Sequence, residues 1–513
     1  MDDQSETIAF LSSPAAYGSG AGPVAHHETH GAHVFLAGDR AWKIKRAVRF
    51  SYMDLSTLER RRATLLRELE INRPLAPEIY LRVVPVIRRA DGGLALGGDG
   101  APVEWALEMR RFADEDLLDA RAGAGPLPSD LVKRLADAVV ESHRAAPIVA
   151  GASGATRVQQ VLASLEGPLA CAAPHLPGDA VAAFVTACRR RLDGLAGLLD
   201  ARAKARLVRR CHGDLHLGNL VLWQGRPTLF DALEFDEELA TTDVLYDLAF
   251  LLMDLEHRGQ RPAACLVLNR YLWRTDRAID LDGLAALPVF LALRSGVRAL
   301  VKAQHAGQMA AAQGAPEVAE ARNYLAAASA YLDPPPPRLI AVGGLSGSGK
   351  STLAAALAPG IGAAPGALHL RSDLERKAML GVRETDRLPP SAYTPEVAAA
   401  VYARLADKAR LGLAAGHSVV VDAVFEHAAD RDRIAASAAS RGVPFTGLWL
   451  TAPRETLMAR VAARTGDASD ADPAVVEAQL RRDPGALGWQ AVDASGDAQA
   501  TAERVQDMLS ESP

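Results

Sequence analysis

An aspartate and an asparagine stand five residues apart in Cys211-His212-Gly213-Asp214-Leu215-His216-Leu217-Gly218-Asn219. A further aspartate, Asp231, closes the apolar run Thr228-Leu229-Phe230. In that order Asp214 can take the proton of an acceptor hydroxyl, Asn219 can ligate a divalent cation, and Asp231 can hold the cations that bridge a phosphate chain. His212 is expected to brace this loop by hydrogen bonds rather than to carry protons. A second pattern, Gly344-Leu345-Ser346-Gly347-Ser348-Gly349-Lys350-Ser351, follows the apolar run Leu339–Val342, and a helix is expected from Thr352 to Leu357. Glycines there let successive backbone N–H groups curl around phosphate oxygens, and the helix N-terminus adds positive potential. Lys350 should reach the outer phosphates and the Ser351 hydroxyl should ligate Mg²⁺. Val419-Val420-Val421-Asp422 ends an apolar run in a carboxylate suited to a metal's water shell. Leu370-Arg371-Ser372-Asp373 ends another, so Asp373 can accept a substrate proton while Arg376 clamps substrate or phosphate. Helix capping by Ser372 or Asp373 is a competing role that can coexist with the chemistry. Arg454, Arg460 and Arg464, followed by Gly466-Asp467-Ala468-Ser469-Asp470-Ala471, suggest a basic lid, with Arg464 on the transferred group; solvated helix arginines are the alternative.

The elements that must position these groups fall into two textures. From about His33 to Met109 the sequence has short β-like runs (Val34–Leu36, Ala41–Lys45, Leu81–Ile87, Trp105–Met109) around one helix, Leu58–Asn72. After Asp114 the pattern is mostly helical, broken by a strand-loop-strand unit from Val208 to Asp231. Asp333-Pro334-Pro335-Pro336-Pro337 forbids helix and strand alike and marks a boundary. Beyond it, strands at Leu339–Val342, Leu368–Leu370, Val419–Val421 and Phe445–Leu450 alternate with helices, which argues for a parallel sheet covered on both faces. The expected organisation is an extension at 1–28, a domain at 29–332 (small lobe about 29–112, helical lobe about 113–332), a linker at 333–337 and a second domain at 338–513.

Composition narrows the function classes. The 513 residues are 49% hydrophobic and 23% charged, as in an ordinary globular chain, with a net charge of −5 that disfavours nucleic-acid coating or a basic membrane-surface role. Four cysteines without a CxxC argue against a disulfide scaffold or a thiolate zinc site. The acidic start lacks the features of a secretory signal, and no uninterrupted apolar run approaches a membrane span, so a cytoplasmic location is expected. Only 8 lysines accompany 49 arginines, so positions that stay lysine invite attention.

The segment from Arg209 to Leu252, including Thr242-Asp243-Val244-Leu245-Tyr246-Asp247-Leu248-Ala249, resembles the aminoglycoside-phosphotransferase and choline-kinase branch of the protein-kinase-like fold. The resemblance implies an ATP-binding lobe before residue 115, with a lysine paired to an acid on the following helix. Ala41-Trp42-Lys43-Ile44-Lys45 supplies two lysines on one face of a strand. Lys43 is preferred over Lys45, and Glu68 is preferred over Glu70 as partner. Thr29-His30-Gly31-Ala32-His33 must serve as the phosphate loop, and the strand Trp105–Met109 should lead into the adenine hinge. Residues 338–513 are similar to small P-loop kinases of the gluconate-kinase, zeta-toxin and polynucleotide-kinase type. That likeness strengthens the substrate-contacting role of Asp373.

The order of the two domains resembles bacterial bifunctional proteins. It implies an α/β chain in which a bilobal protein-kinase-like fold precedes a P-loop parallel sheet. The expected activity is ATP- and Mg²⁺-dependent phosphorylation of small hydroxylated metabolites (sugar, amino sugar, polyol or aminoglycoside-like) at two sites. A polynucleotide 5′-kinase is an alternative for the C-terminal half, although 19 basic against 21 acidic residues in 338–513 give little footprint for a polyanion. Another is an ATP-gated module regulating its neighbour. Other features weigh less. His26, His27, His30 and His33 resemble a metal cluster, but their Gly-rich surroundings argue against one. Asp231, Glu234, Asp236, Glu237, Glu238 and Asp243 could receive a cationic substrate or form a solvated loop. Arg294, Arg298 and Lys302 share a helix face, and neutralising that acidic stretch is preferred to binding an anionic substrate.

Overall fold

Strand alternation builds the N-terminal sheet. In the computed structural model, which describes residues 2–18, 22–49, 53–151 and 153–510, six strands form it: β1 (Ala25–Glu28), β2 (Ala32–Ala37), β3 (Arg40–Lys45), β4 (Tyr80–Arg88), β5 (Leu94–Leu96) and β6 (Ala101–Arg110). Their order is β1-β2-β3-β6-β4-β5, antiparallel throughout. On β3, Trp42 and Ile44 point into a core with Phe35, Val84, Val86 and Ala106, so by the two-residue period Lys43 and Lys45 face the other side. Leu11, from the helix Ser5–Leu11, is fully buried in the same core. The helix Leu58–Asn72, capped by the Thr57 hydroxyl accepting from Arg60 N–H, packs Leu65 with Tyr80 and Leu107.

The chain packs as two compact units, Met1–Ala152 with Arg206–Asp254, and Ser153–Ala205 with Leu255–Pro513. The first unit adds β7 (Val208–Arg210), the hairpin β8 (Leu220–Trp223)–β9 (Arg226–Leu229) and β10 (Thr241–Asp243), with β10 antiparallel to β7. The hairpin turns through Gln224 and Gly225, both at positive φ (49° and 78°), as a tight two-residue turn requires. The small antiparallel sheet, the helix Leu58–Asn72 packed on it and the polar loop before the β8–β9 hairpin make a protein-kinase-like fold.

The second unit holds a five-stranded, wholly parallel sheet: β11 (Leu339–Gly344), β12 (Leu368–Arg371), β13 (Val419–Asp422), β14 (Phe445–Thr451) and β15 (Gln490–Asp493), ordered β12-β13-β11-β14-β15. β11 is buried along its whole length, as a central parallel strand must be. The crossing from β11 into the helix Lys350–Leu357 is a P-loop α/β arrangement. The same unit contains the antiparallel helices Leu287–Gln308 and Ala311–Tyr331 before the prolines. One helical stretch, Ala278–Gln308, is long and apolar enough to span a membrane by length and composition, and 72% of its most apolar window is buried inside the molecule.

Two cations of helix 287–308 have partners on the next helix. Lys302 pairs with Glu317 at 3.0 Å, and Arg298 lies 5.8 Å from the centre of the Tyr324 ring. These cations serve the next helix. The acidic stretch finds its own: Asp231 pairs with Lys43, Glu234 with Lys45, and Glu237 with Arg67 and Arg210.

Candidate active sites

In the first unit the period of β3 delivers both lysines to the helix that follows it. Lys43 Nζ lies 2.8 Å from Glu68 Oε1 and 2.7 Å from Asp231 Oδ1; Lys45 Nζ lies 2.6 Å from Glu68 Oε2 and 2.5 Å from Glu234 Oε1. Glu68 is fully buried and bridges the two ammonium groups, whereas Glu70 turns outward to Arg67. Burial alone pushes the Lys43 ammonium down, but Asp231 and Glu68 outweigh it and hold its pKa well above the ordinary lysine value. Burial likewise raises the Asp231 carboxyl, and Lys43 overturns that effect, leaving it below the usual range.

Asp231 adopts a positive φ of 58°, uncommon for a non-glycine residue. Its neighbours impose this: Asp231 N–H donates to the Tyr80 hydroxyl at 2.9 Å, and Ala232 N–H donates to Asn72 Oδ1 at 2.7 Å. Tyr80 and Asn72 were not singled out from the sequence. Only the fold shows them clamping the turn at Asp231.

Across from this turn, Asn219 Nδ2 donates to Asp214 Oδ2 and to Asp214 O, each at 2.9 Å. The Asn219 amide oxygen is thereby aimed away from Asp214. His212 Nε2 donates to Phe230 O at 2.9 Å, and burial lowers its pKa. It ties the loop to the residue just after β9 and before Asp231, the bracing role expected of it. Asp247 Oδ1 accepts from Gly213 N–H at 2.8 Å while its other oxygen meets His143 Nε2 at 3.1 Å. His143, Cys211 and Asp247 form a buried group with metal-ligand spacing among the described residues. His26 and His33 face each other at 3.1 Å, with His26 stacked on Phe35. Thr29–Gly31 forms the tight connection between β1 and β2, held by the Arg46 guanidinium on Thr29 O at 2.9 Å.

The second unit presents a cavity of about 450 Å³ at the C-terminal edge of its sheet, lined among others by Lys350, Ser351, Asp373, Arg376, Asp422 and Arg464. Gly344 and Gly347 are at positive φ (137° and 84°), and a Cβ would lie 2.6 Å from Leu450 O at the first and 2.6 Å from Leu457 O at the second. Only glycine fits the loop at these points. Leu345 packs against Leu457, Val461 and Val476, and Ser346 N–H donates to Gln479 Oε1 at 2.8 Å. The Ser348 hydroxyl is buried without a hydrogen-bond partner, and Gly349 caps the helix that carries Lys350, Ser351 and Thr352. Lys350 Nζ donates to Leu345 O at 2.9 Å. Burial pushes its pKa down to about 8, with the charge of Arg464 acting in the same direction.

Ser351 Oγ donates to Asp422 Oδ1 at 2.7 Å, and His369 Nε2 meets Asp422 Oδ2 at 2.6 Å. Burial raises Asp422, but His369, Arg371 and Ser351 together hold it below the ordinary aspartate value. Asp373 behaves oppositely. Burial, with Asp422 adding to it, lifts its pKa against the opposing pull of Arg371 and Lys350. Neither Ser372 nor Asp373 makes a side-chain capping bond, so the capping role is not used.

The lid region also departs from expectation. Arg454 pairs with Glu477, and Arg460 Nη1 donates to Ala494 O at 2.8 Å, so both tie down structure. Arg464 alone of the three lines the cavity. The acids of that segment are also engaged. Asp467 accepts from Ser469 N–H at 2.8 Å and faces Arg371, and Asp470 accepts from the Tyr393 hydroxyl at 2.6 Å and from Leu388 N–H at 3.0 Å. His369 and Arg371 escaped the sequence reading. Their signal was a polar residue at alternate positions of an otherwise apolar strand.

Oxygen donors dominate both sites (Asn219 and Asp231; Ser351 and Asp422), a set that fits a hard cation such as Mg²⁺. The glycine cradle, the unpartnered Ser348 hydroxyl and Lys350 fit a phosphate chain. Kinase-like folds thus occur in both regions.

Residues 339–483 match the AAA domain family. The chain is 32% identical over 469 residues, 89% of its own length and 89% of its relative's, to an uncharacterized protein of Mycobacterium tuberculosis strain H37Rv. It belongs to the family of that mycobacterial protein. Among solved structures, a choline/ethanolamine kinase family protein from Mesorhizobium loti is 15% identical (64% of this chain, 98% of that one, TM-score 0.36). A gluconokinase from Sinorhizobium meliloti is 26% identical (34% of this chain, 98% of that one, TM-score 0.23).

Proposed function

We propose that this chain is a double ATP-dependent phosphotransferase, with one Mg·ATP site built on Lys43, Glu68, Asn219 and Asp231 and another on the loop Gly344–Thr352 with Asp422. The observation that carries the reading is the recurrence, in two unrelated architectures, of a lysine beside an oxygen-donor pair and a further aspartate (Lys43 with Asn219, Asp231 and Asp214; Lys350 with Ser351, Asp422 and Asp373). Bound Mg·ATP would supply the transferable phosphoryl group and neutralise charge on its oxygens. The residues of the chain do the rest. Lys43, held by Glu68, and Lys350 grip phosphate oxygens; Asn219 with Asp231, and Ser351 with Asp422, hold the cation. Asp214 and Asp373 each take the proton of a hydroxyl as its oxygen bonds to the terminal phosphorus and the bond to the departing ADP oxygen breaks. The raised pKa of Asp373 brings it nearer to working pH, as a proton acceptor needs.

Small hydroxylated metabolites are the acceptors this reading favours. In the P-loop cavity the lining acids Asp422, Asp467 and Asp470 are engaged by the protein itself. Arg376 makes a single bond, to Ala392 O at 2.8 Å, over the ring of Tyr393, and its Nε is buried without a partner. Arg376 is thus left to orient the acceptor, and a cavity of about 450 Å³ suits a metabolite beside the end of a triphosphate.

The test is an ADP-release screen across sugars, amino sugars, polyols and aminoglycosides. Asp214→Asn should abolish transfer at the first site by about a thousandfold or more while nucleotide still binds there. Lys350→Ala should abolish transfer at the second and spare the first. Full activity in both variants with every acceptor that the wild type uses would refute the assignment.

A further inference from the structure

β12 is an end strand of the parallel sheet, with β13 on one side and an open edge on the other. Open edges expose backbone groups that need partners. Here the partner is one side chain. Asn269, on the helix Arg261–Thr275, donates from Nδ2 to Ala367 O at 3.1 Å and accepts at Oδ1 from His369 N–H at 2.6 Å. A carbonyl and the N–H two residues later on the same edge are the pair that a further strand would engage. The same helix reaches the acceptor side of the pocket. Trp273 Nε1 donates to Leu374 O at 3.1 Å, and Arg270 pairs with Glu384. Asp276, just beyond it, pairs with Arg404 and Lys408, which also hold Glu375. Leu374 and Glu375 lie on the helix Ser372–Met379, which carries Asp373 and Arg376.

From the edge held by Asn269, the His369 imidazole reaches inward to Asp422. The Asp422 carboxyl is ionised and can only accept, so His369 Nε2 carries the proton and donates. Asp422 therefore has one oxygen fixed by Ser351 and the other by His369, with Arg371 Nε more distant at 3.9 Å. When Ser351 turns its hydroxyl oxygen to a cation, His369 is what keeps the carboxylate from rotating. Groups that orient a metal-binding side chain in this way commonly set metal affinity by one to two orders of magnitude, roughly 10- to 100-fold.

We propose that His369 is a positioning residue for the metal-binding carboxylate of the P-loop site and that Asn269 positions His369. The helix Arg261–Thr275, which precedes the tetraproline, is then a working part of the P-loop kinase. This rests on the reading of the Lys350 loop as a Mg·nucleotide site.

The test uses the full chain, titrated with a fluorescent ATP analogue in Mg²⁺ and in EDTA, counting only the binding that Lys350→Ala removes. His369→Leu should lose roughly tenfold of the Mg²⁺-dependent gain in affinity while binding in EDTA stays at the wild-type level. His369→Gln, whose amide can still donate to Asp422, should recover most of it. Asn269→Leu should show the same selective loss, with faster hydrogen exchange across residues 367–371. An undiminished Mg²⁺-dependent gain in both His369→Leu and Asn269→Leu overturns the proposal, as does an equal loss with and without Mg²⁺. If the wild type shows no binding sensitive to Lys350→Ala, the nucleotide-site reading itself falls and the proposal with it.

Discussion

Lys43 and Lys350 are both part-buried lysines, yet their ionisation diverges because their neighbours differ. Two carboxylates in direct contact override desolvation at Lys43, whereas Lys350 touches only a carbonyl and desolvation wins. The first is a charge already committed to the fold, and the second, still largely protonated at neutral pH, is a charge held less firmly. His417 gives a residue-scale prediction. It is buried, its Nε2 donates to Gly366 O at 2.7 Å, and burial depresses its pKa to about 4. The folded protein therefore binds fewer protons than the unfolded chain between about pH 4 and 6.5, and this group's contribution to stability falls on acidification through that window. Replacing His417 by Gln should flatten the acid limb of stability against pH, by up to about 3 kcal/mol between pH 7 and pH 4. Urea unfolding of both proteins at several pH values measures it; parallel acid limbs would contradict the assignment. At this scale the motif residues were legible because their types and spacing are chemical requirements. Tyr80, Asn72 and His369 were not, because each acts through a neighbour distant in sequence.

Among elements, the helix Leu58–Asn72 and four of the five parallel strands stand where periodicity puts them, give or take one or two residues at their ends. Among the pieces that escaped are the helix Ser5–Leu11 and strands β1, β5, β10 and β15. β1 is exposed at every position and β15 has a single buried residue, so neither carries the alternation that marks a strand. β14 shows why some positions are restrictive. A Cβ at Gly447 would lie 2.4 Å from Trp489 Cγ, and the Trp489 ring also packs edge-on against Phe425 at 5.0 Å. Gly447→Ala must displace that indole and should cost about 1–3 kcal/mol of stability. Calorimetry together with Trp fluorescence checks it, and an unchanged midpoint with an unchanged spectrum would count against the packing described.

At the scale of the whole molecule, the tetraproline is a break in sequence texture, while packing runs across it. Cys265, before the prolines, lies in one core cluster with Ile340, Val342, Leu353 and Val420 of the P-loop sheet. A Cβ at Gly366 would come within 3.0 Å of its sulfur. No periodicity in the sequence announces such a contact, because 100 residues of chain separate the partners. A separately produced 338–513 segment should therefore melt at least several degrees below the corresponding transition of the full chain, since it forgoes the two hydrogen bonds between the Asn269 side chain and the edge-strand backbone, worth about 1 kcal/mol each, and the burial of Cys265. Equal melting temperatures would show that the contacts before the prolines add nothing.

Asn269 stands in for a strand that the sheet does not have. A borrowed amide of this kind makes recombination awkward: a gene cut at the codons for the prolines would deliver a phosphate loop with a raw flank, ready to zip onto a sister copy. Descent would then favour passing the stretches before and after the prolines on together, as one reading frame.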